Sequence, residues 1–203
     1  MTNPAFPSLT KFDDSGEFLL VSSFTGNPLG KGAIWVTPGV KGAVQNNTVS
    51  KLKSVKVKNI GSFEWPNDIK VIPGDVFGDK SRTIVVPDGF LVPGKSNGGV
   101  YIITMDSNDV SKATKRQTMT SNKDGYFYHM GYWVDMNGDG RKDFITAKSN
   151  FTPNEGKLVW YEHPVGGLSS TAPWTEHIVC TGPDVGITVA TDLFKNELTV
   201  FAT

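Results

Sequence analysis

A turn led by aspartate and followed by a short β-prone run recurs about every sixty residues along this chain, and that recurrence constrains the fold more than any other feature. Gly74-Asp75-Val76-Phe77-Gly78-Asp79 runs into Thr83-Ile84-Val85-Val86. Val134-Asp135-Met136-Asn137-Gly138-Asp139-Gly140 runs into Asp143-Phe144-Ile145-Thr146, and Thr191-Asp192-Leu193-Phe194 into Leu198-Thr199-Val200-Phe201. A fainter copy, led by Asp14, precedes Phe18-Leu19-Leu20-Val21. A second marker keeps step: glycine before an aromatic strand, in Gly32–Val36, Gly98–Ile103 and Gly156–Tyr161. A third, polar and β-prone, follows at Lys51–Val57, Lys115–Met119 and Trp174–Val179. Markers in phase over three periods predict repeated units of one kind.

Each period reads as four short strands separated by turn residues, best seen in Phe127–Val134, Asp143–Ala147, Leu158–Tyr161 and Trp174–Val179. Helical periodicity is nearly absent; Asn108–Lys115 is the one stretch that suggests a helical turn. Four antiparallel strands per unit of about sixty residues predict an all-β fold, a β-propeller of four-stranded blades. The blades span residues 9–60, 61–122 and 123–183, with an incomplete one at 184–203, about 3.5 in all. A stack that stops half-way leaves an apolar face and a strand edge open. Further blades, from missing C-terminal sequence or from another chain, are therefore expected to complete the propeller.

Composition narrows the partners. Twenty Lys+Arg balance twenty Asp+Glu, so the net charge is zero and no field exists to hold a nucleic acid. No apolar run is long enough for a membrane span. The single cysteine, Cys180, excludes an internal disulfide and a Cys-rich zinc site, and within a strand is expected to be a small core residue. No signal peptide is visible after Met1-Thr2-Asn3-Pro4. Two sequons, at Asn46 and Asn150, lean slightly towards a secreted, extracellular protein.

The stretch Asp135–Asp143 is richest in chemistry. It sets side-chain oxygens of Asp135, Asn137, Asp139 and Asp143 at positions 1, 3, 5 and 9, with Gly140 at 6 and the Arg141 carbonyl at 7. A hard cation takes six to eight oxygens in such a loop, so Ca²⁺ is the expected ion. Thr146 stands where an EF-hand needs its acid, and β-prone flanks replace helices, so the site is strand–loop–strand. The other reading of the loop is a solvated Asn/Asp/Gly turn.

The loop and its flanks resemble the FG-GAP/VCBS repeat of integrin-α-type β-propellers, with the motif D-x-[DN]-x-D-G-x-x-D, which Asp135–Asp143 matches in full. Around Asp75 the pattern departs at Phe77, Lys80 and Thr83, leaving a weak site or a plain turn at Asp75 and Asp79, and around Asp192 it is lost. Trp160-Tyr161-Glu162-His163-Pro164 and Trp174-Thr175-Glu176-His177-Ile178 also resemble the FG-GAP subfamily that includes sugar dehydratases of the aldos-2-ulose dehydratase type. The resemblance implies a calcium-binding, lectin-like propeller module for carbohydrate or protein ligands. The alternative it implies is the propeller domain of a metal-assisted sugar dehydratase or lyase.

Candidate ligand contacts are few. His129, in Tyr126-Phe127-Tyr128-His129-Met130, lies on a first strand, which lines the channel of a propeller. It is the candidate ligand or acid–base residue; the plainer reading is a channel histidine hydrogen-bonded to its neighbours. Trp65 and Asn67, in Trp65-Pro66-Asn67-Asp68, are either an aromatic and a carboxamide at the channel mouth or the start of a strand. His163 reads as a turn residue beside Pro164, and His177 as solvated or paired with Glu176. The loops Phe24–Lys31, Asp88–Asn97 and Asn150–Asn154 are long enough to form a binding face. No G-x-G-x-x-G or H-E-x-x-H occurs.

Overall fold

A computed structural model describes residues 3–12, 16–27, 29–78, 82–90, 92, 95, 97–121, 125–152, 155–170, 174–182, 187–194 and 197–202, the side chains of 191–194, 197, 198 and 202 apart. The aspartates Asp14 and Asp79, and the side chain of Asp192, lie outside that set.

Three four-stranded antiparallel meanders and one two-stranded sheet follow each other along the chain. The first holds β1 (Pro4–Thr10), β2 (Phe18–Ser23), β3 (Ala33–Pro38) and β4 (Val55–Lys56). The second holds β5 (Lys70–Val71), β6 (Thr83–Pro87), β7 (Val100–Met105) and β8 (Ala113–Thr118). The third holds β9 (Phe127–Val134), β10 (Asp143–Ser149), β11 (Lys157–Glu162) and β12 (Thr175–Thr181). The fourth pairs β13 (Ile187–Phe194) with β14 (Glu197–Ala202).

Strand alternation feeds a different core on each face of a sheet. Ile84 and Val86 of β6 join Phe18, Leu20, Ile34 and Val36 between the first and second sheets. Val85, between them in sequence, turns the other way to meet Tyr128, Phe144, Val159 and Tyr161. Ile145 and Ala147 of β10 then face Ile187 of the fourth sheet. Central strands are thus buried on both faces, as all seven residues of β10 are. Gly131 of β9 is part of this fit: a Cβ there would sit 2.2 Å from the Phe144 ring and 2.8 Å from the Ile145 carbonyl.

The first strands of neighbouring sheets touch, β1 against β5 and β9 against β13. Because every sheet is an up-and-down meander, the β2–β3, β6–β7 and β10–β11 loops gather at one end with the segments that enter each first strand. The β1–β2, β5–β6 and β9–β10 hairpins lie at the other end.

Several local expectations change. β1 begins at Pro4, ahead of residue 9; it is an edge strand, where proline costs no ladder bond, and a bulge between Ala5 and Pro7 absorbs the second proline. The third marker of the first unit shrinks to β4, preceded by a 3-10 turn at Val49–Lys51. The expected turn at Asn108–Lys115 is a β-hairpin whose last residues enter β8. Among the described residues two short α-helices form instead, α1 (Val40–Gln45) and α2 (Gly74–Phe77), the second on the Asp75 turn. Thr191–Phe194, read as a turn, continues β13. Cys180 is exposed, because β12 is the outer edge of its sheet. No helix among the described residues is long and apolar enough to cross a membrane.

Candidate binding site at the sheet ends

At the end where the inter-strand loops gather, aromatic rings line up across three sheets. Phe24 follows β2, Trp65 precedes the entry to β5, and Phe90 follows β6. Trp65 is stacked between Phe24, at 3.9 Å and 17°, and Phe90, at 5.0 Å and 16°. Phe90 then meets Phe127 at 6.1 Å and His129 at 6.4 Å. Phe6 of β1 closes the line with its edge on His129, centroids 5.5 Å apart. Phe6 has φ 36°, an uncommon conformation for a bulky residue, beside the β1 bulge.

A buried carboxylate builds the turn that presents Trp65. Asp88 is 1% exposed and accepts the amide N–H of Trp65 at 2.7 Å and of Glu64 at 3.0 Å. Burial pushes its pKa up to about 6, against the pull of those amides and of the Arg116 charge. Gly89 N–H donates to the Trp65 carbonyl at 3.1 Å, and Gly32 N–H to that of Phe63 at 2.9 Å. Gly32 has to be glycine: a Cβ would lie 2.1 Å from Pro66 Cδ.

Of the three residues singled out for ligand contact, Trp65 and His129 stand on the aromatic line, on either side of Phe90. Asn67 stands behind it, fully buried, its Nδ2 donating to the carbonyls of Gly89 at 2.7 Å and Tyr128 at 2.8 Å. Asn67 therefore ties the entry of β5 to β9 next to His129. His129 Nδ1 is buried with no hydrogen-bond partner among the described residues, so the fully bonded channel histidine is not what forms. Burial lowers its pKa, while the nearby Asp68 carboxylate raises it. Asp68 pairs with Lys70 at 2.7 Å, and Lys70 donates to the Gly131 carbonyl at 3.2 Å and lies 4.3 Å from the Tyr132 ring centroid. Phe6 was not singled out in the sequence, and Asp68 and Asp88 stood there only as parts of a strand start and a loop. Phe24 and Phe90 sit in two of the loops it marked, but no local pattern signals that their rings meet.

The acidic loop lies at the opposite end, between β9 and β10. Asp135 accepts the amides of Gly138 at 2.7 Å and Asp139 at 3.2 Å on Oδ1, and of Gly140 at 2.8 Å on Oδ2. Asn137 Oδ1 accepts Asp139 N–H at 3.1 Å, and Asp139 accepts Arg141 N–H at 2.8 Å and the Arg141 guanidinium at 2.5 Å. The Arg141 amide holds the Asp139 pKa low. Asp143 is buried and accepts the amides of Met136 at 2.9 Å and His163 at 2.8 Å. The oxygen donors suit a hard cation, but here the carboxylates close on the loop's own amides. Among the described residues no three acidic, His or Cys side chains converge on one point.

The other histidines depart from expectation. His163 is no exposed turn residue: it is buried, stacked on Trp174 at 5.1 Å and 4°, with the edge of Phe77 at 5.1 Å. His177 stacks on Trp160 at 4.0 Å and pairs with Glu162 at 2.8 Å, not with Glu176. Glu176 instead holds Lys148 at 2.7 Å and accepts the Tyr161 hydroxyl at 2.6 Å.

No family model and no curated protein matches the sequence. Among solved structures, the chain is similar to the endo-arabinase from Bacteroides thetaiotaomicron VPI-5482 at 13% identity. That likeness has a TM-score of 0.56 and covers 96% of this chain and 68% of the other; at such identity it speaks to the all-β architecture alone.

Proposed function

We propose that the chain is an FG-GAP/VCBS-type β-propeller segment whose aromatic end binds carbohydrate. The contact of first strands and the face-to-face stacking of the sheets support blades arranged around an axis, about three and a half of them from this chain. Exposed Leu9 and Phe201, on the outward faces of the first and fourth sheets, favour closure by further blades or by another chain. The observation that carries the binding reading is the ordered line Phe24–Trp65–Phe90–His129–Phe6. Flat rings held rigidly offer a sugar's C–H face a large contact at little entropic cost, and His129 adds a polar atom beside them. The test is affinity electrophoresis through gels containing soluble arabinan, xylan, galactan or β-glucan. The wild type is retarded by at least one, and Trp65→Ala loses about tenfold or more in affinity. Equal mobility of wild type and variant in every gel refutes the reading.

Calcium is the second part of the proposal. Asp135, Asn137, Asp139 and Asp143, with the Arg141 carbonyl, would hold the ion once Asp139 exchanges the Arg141 guanidinium for it. The ion would pin the β9–β10 turn, far from the aromatic end, in a structural role suited to an extracellular protein. A second reading, an enzyme acting on a sugar, draws on the likeness to an endo-arabinase and on His129 beside Asp68. Release of reducing ends or dehydrated sugar from the retained polysaccharide favours it over simple binding.

A further inference from the structure

We propose that Glu64 is the positioning residue of the aromatic end, one carboxylate that holds both loops flanking Trp65. The consequence for ligand affinity rests on the carbohydrate reading above; the positioning itself does not. Glu64 directly precedes Trp65, and its own amide is fixed by Asp88 at 3.0 Å. Its Oε1 pairs with Lys31, at the end of the loop that carries Phe24. Its Oε2 faces Lys95 Nζ at 3.8 Å, across the loop that carries Phe90.

Lys95 makes the arrangement more than a surface ion pair. Its side chain is 2% exposed, and its ammonium also donates to the Gly30 carbonyl of the Phe24 loop. Its backbone carbonyl accepts the Phe90 amide at 2.9 Å, so the residue that reaches Glu64 is bonded to the residue that stacks on Trp65. A buried ammonium needs a nearby counter-charge, and Glu64 is the carboxylate paired with it. Two cations from two loops thus converge on one acid beside the ring that both loops sandwich. Phe24 and Phe90 are held parallel to Trp65 because their loops are tied to its neighbour.

Neutralising Glu64 removes the anion from both ties at once while keeping its shape. Lys95 then leaves its buried position, and the Phe90 loop with it. Trp65 then loses a stacking face, because the buried Lys95 that ties the Phe90 loop depends on the carboxylate.

The experiment reads Trp65 directly. The chain is labelled with 5-fluorotryptophan, and its five ¹⁹F resonances are compared between wild type and Glu64→Gln, with Trp65 assigned by Trp65→Phe. In Glu64→Gln the Trp65 resonance moves or broadens, while those of Trp35, Trp133, Trp160 and Trp174 stay in place. Lys95→Met produces the same change, the double variant adds nothing to it, and Glu64→Asp restores part of the wild-type shift. Lys31→Met, an exposed substitution that leaves the fold alone, gives a smaller change of the same sign. A Trp65 resonance unmoved in Glu64→Gln and in Lys31→Met overturns the proposal; so does equal movement of all five. If no polysaccharide retards the wild type, the carbohydrate reading fails while the resonance test still decides the positioning role. If one does, Glu64→Gln binds it about tenfold more weakly.

Discussion

Replacing Asp88 by asparagine tests how the Trp65 turn is held. The folded carboxyl titrates near 6 against 3.8 unperturbed, a gap of about two units worth about 3 kcal/mol. Because the folded pKa is the higher one, this residue's contribution to stability is full below pH 3.8 and is lost as pH rises through about 6. Arg116 and Tyr101 face the carboxyl from the second sheet, and the amides of Glu64 and Trp65 hold it from the entry to β5. Asparagine never ionises, but its Oδ1 serves only one of the two amides that Asp88 accepts. The lost bond costs about 1–3 kcal/mol, which at neutral pH roughly cancels the relief of burying no charge. The variant is therefore within about 1–2 kcal/mol of wild type at pH 7. At pH 4.5 wild type has recovered most of its penalty, so the variant falls behind by a further 2 kcal/mol or about that. Urea unfolding of both proteins at the two pH values measures the difference. An Asp88→Asn deficit that is the same at pH 7 and 4.5, or smaller at 4.5, refutes burial as the cause of the shift.

Gly131→Ala drives a methyl into the Phe144 ring and the Ile145 carbonyl, and is expected to cost about 1–3 kcal/mol in urea unfolding. Calcium is expected to raise the thermal midpoint of wild type over that in EDTA and to do much less for Asp139→Ala; equal midpoints in all four samples mean the loop is only a turn. Cys180, exposed on the edge strand β12, is expected to react with a thiol reagent in the native protein as fast as in urea, within a few fold, and a native thiol that reacts only on unfolding contradicts its placement.

The alternation of apolar residues carried much of the architecture in plain sequence. β9 runs over Phe127–Val134 as the pattern predicts, because an aromatic-rich run suits a half-buried pleated strand. The sixty-residue recurrence placed the three meanders for the same reason: each unit is built from local strand and turn preferences that repeat with the sequence. The loop at Asp135–Asp143 was legible as a tight connection between two strands, since most of its hydrogen bonds fall within a few residues, although Asp143 and Arg141 also reach His163.

What tertiary structure decided were the contacts between residues far apart in the chain. Trp65 meets Phe24 and Phe90 because three loops converge where antiparallel sheets end, and no local periodicity encodes that meeting. His177 pairs with Glu162 across the ladder because neighbours on a strand point to opposite faces, which sends Glu176 to Lys148 instead. Cys180 is exposed because β12 is an outermost strand, and strand order lies outside any one strand's composition. His163 is buried because Trp174, following a loop, folds back over it. Pattern within a strand is a local property and reads from sequence; edge position, ring stacking and charge pairing depend on which strands become neighbours, which the folded chain settles.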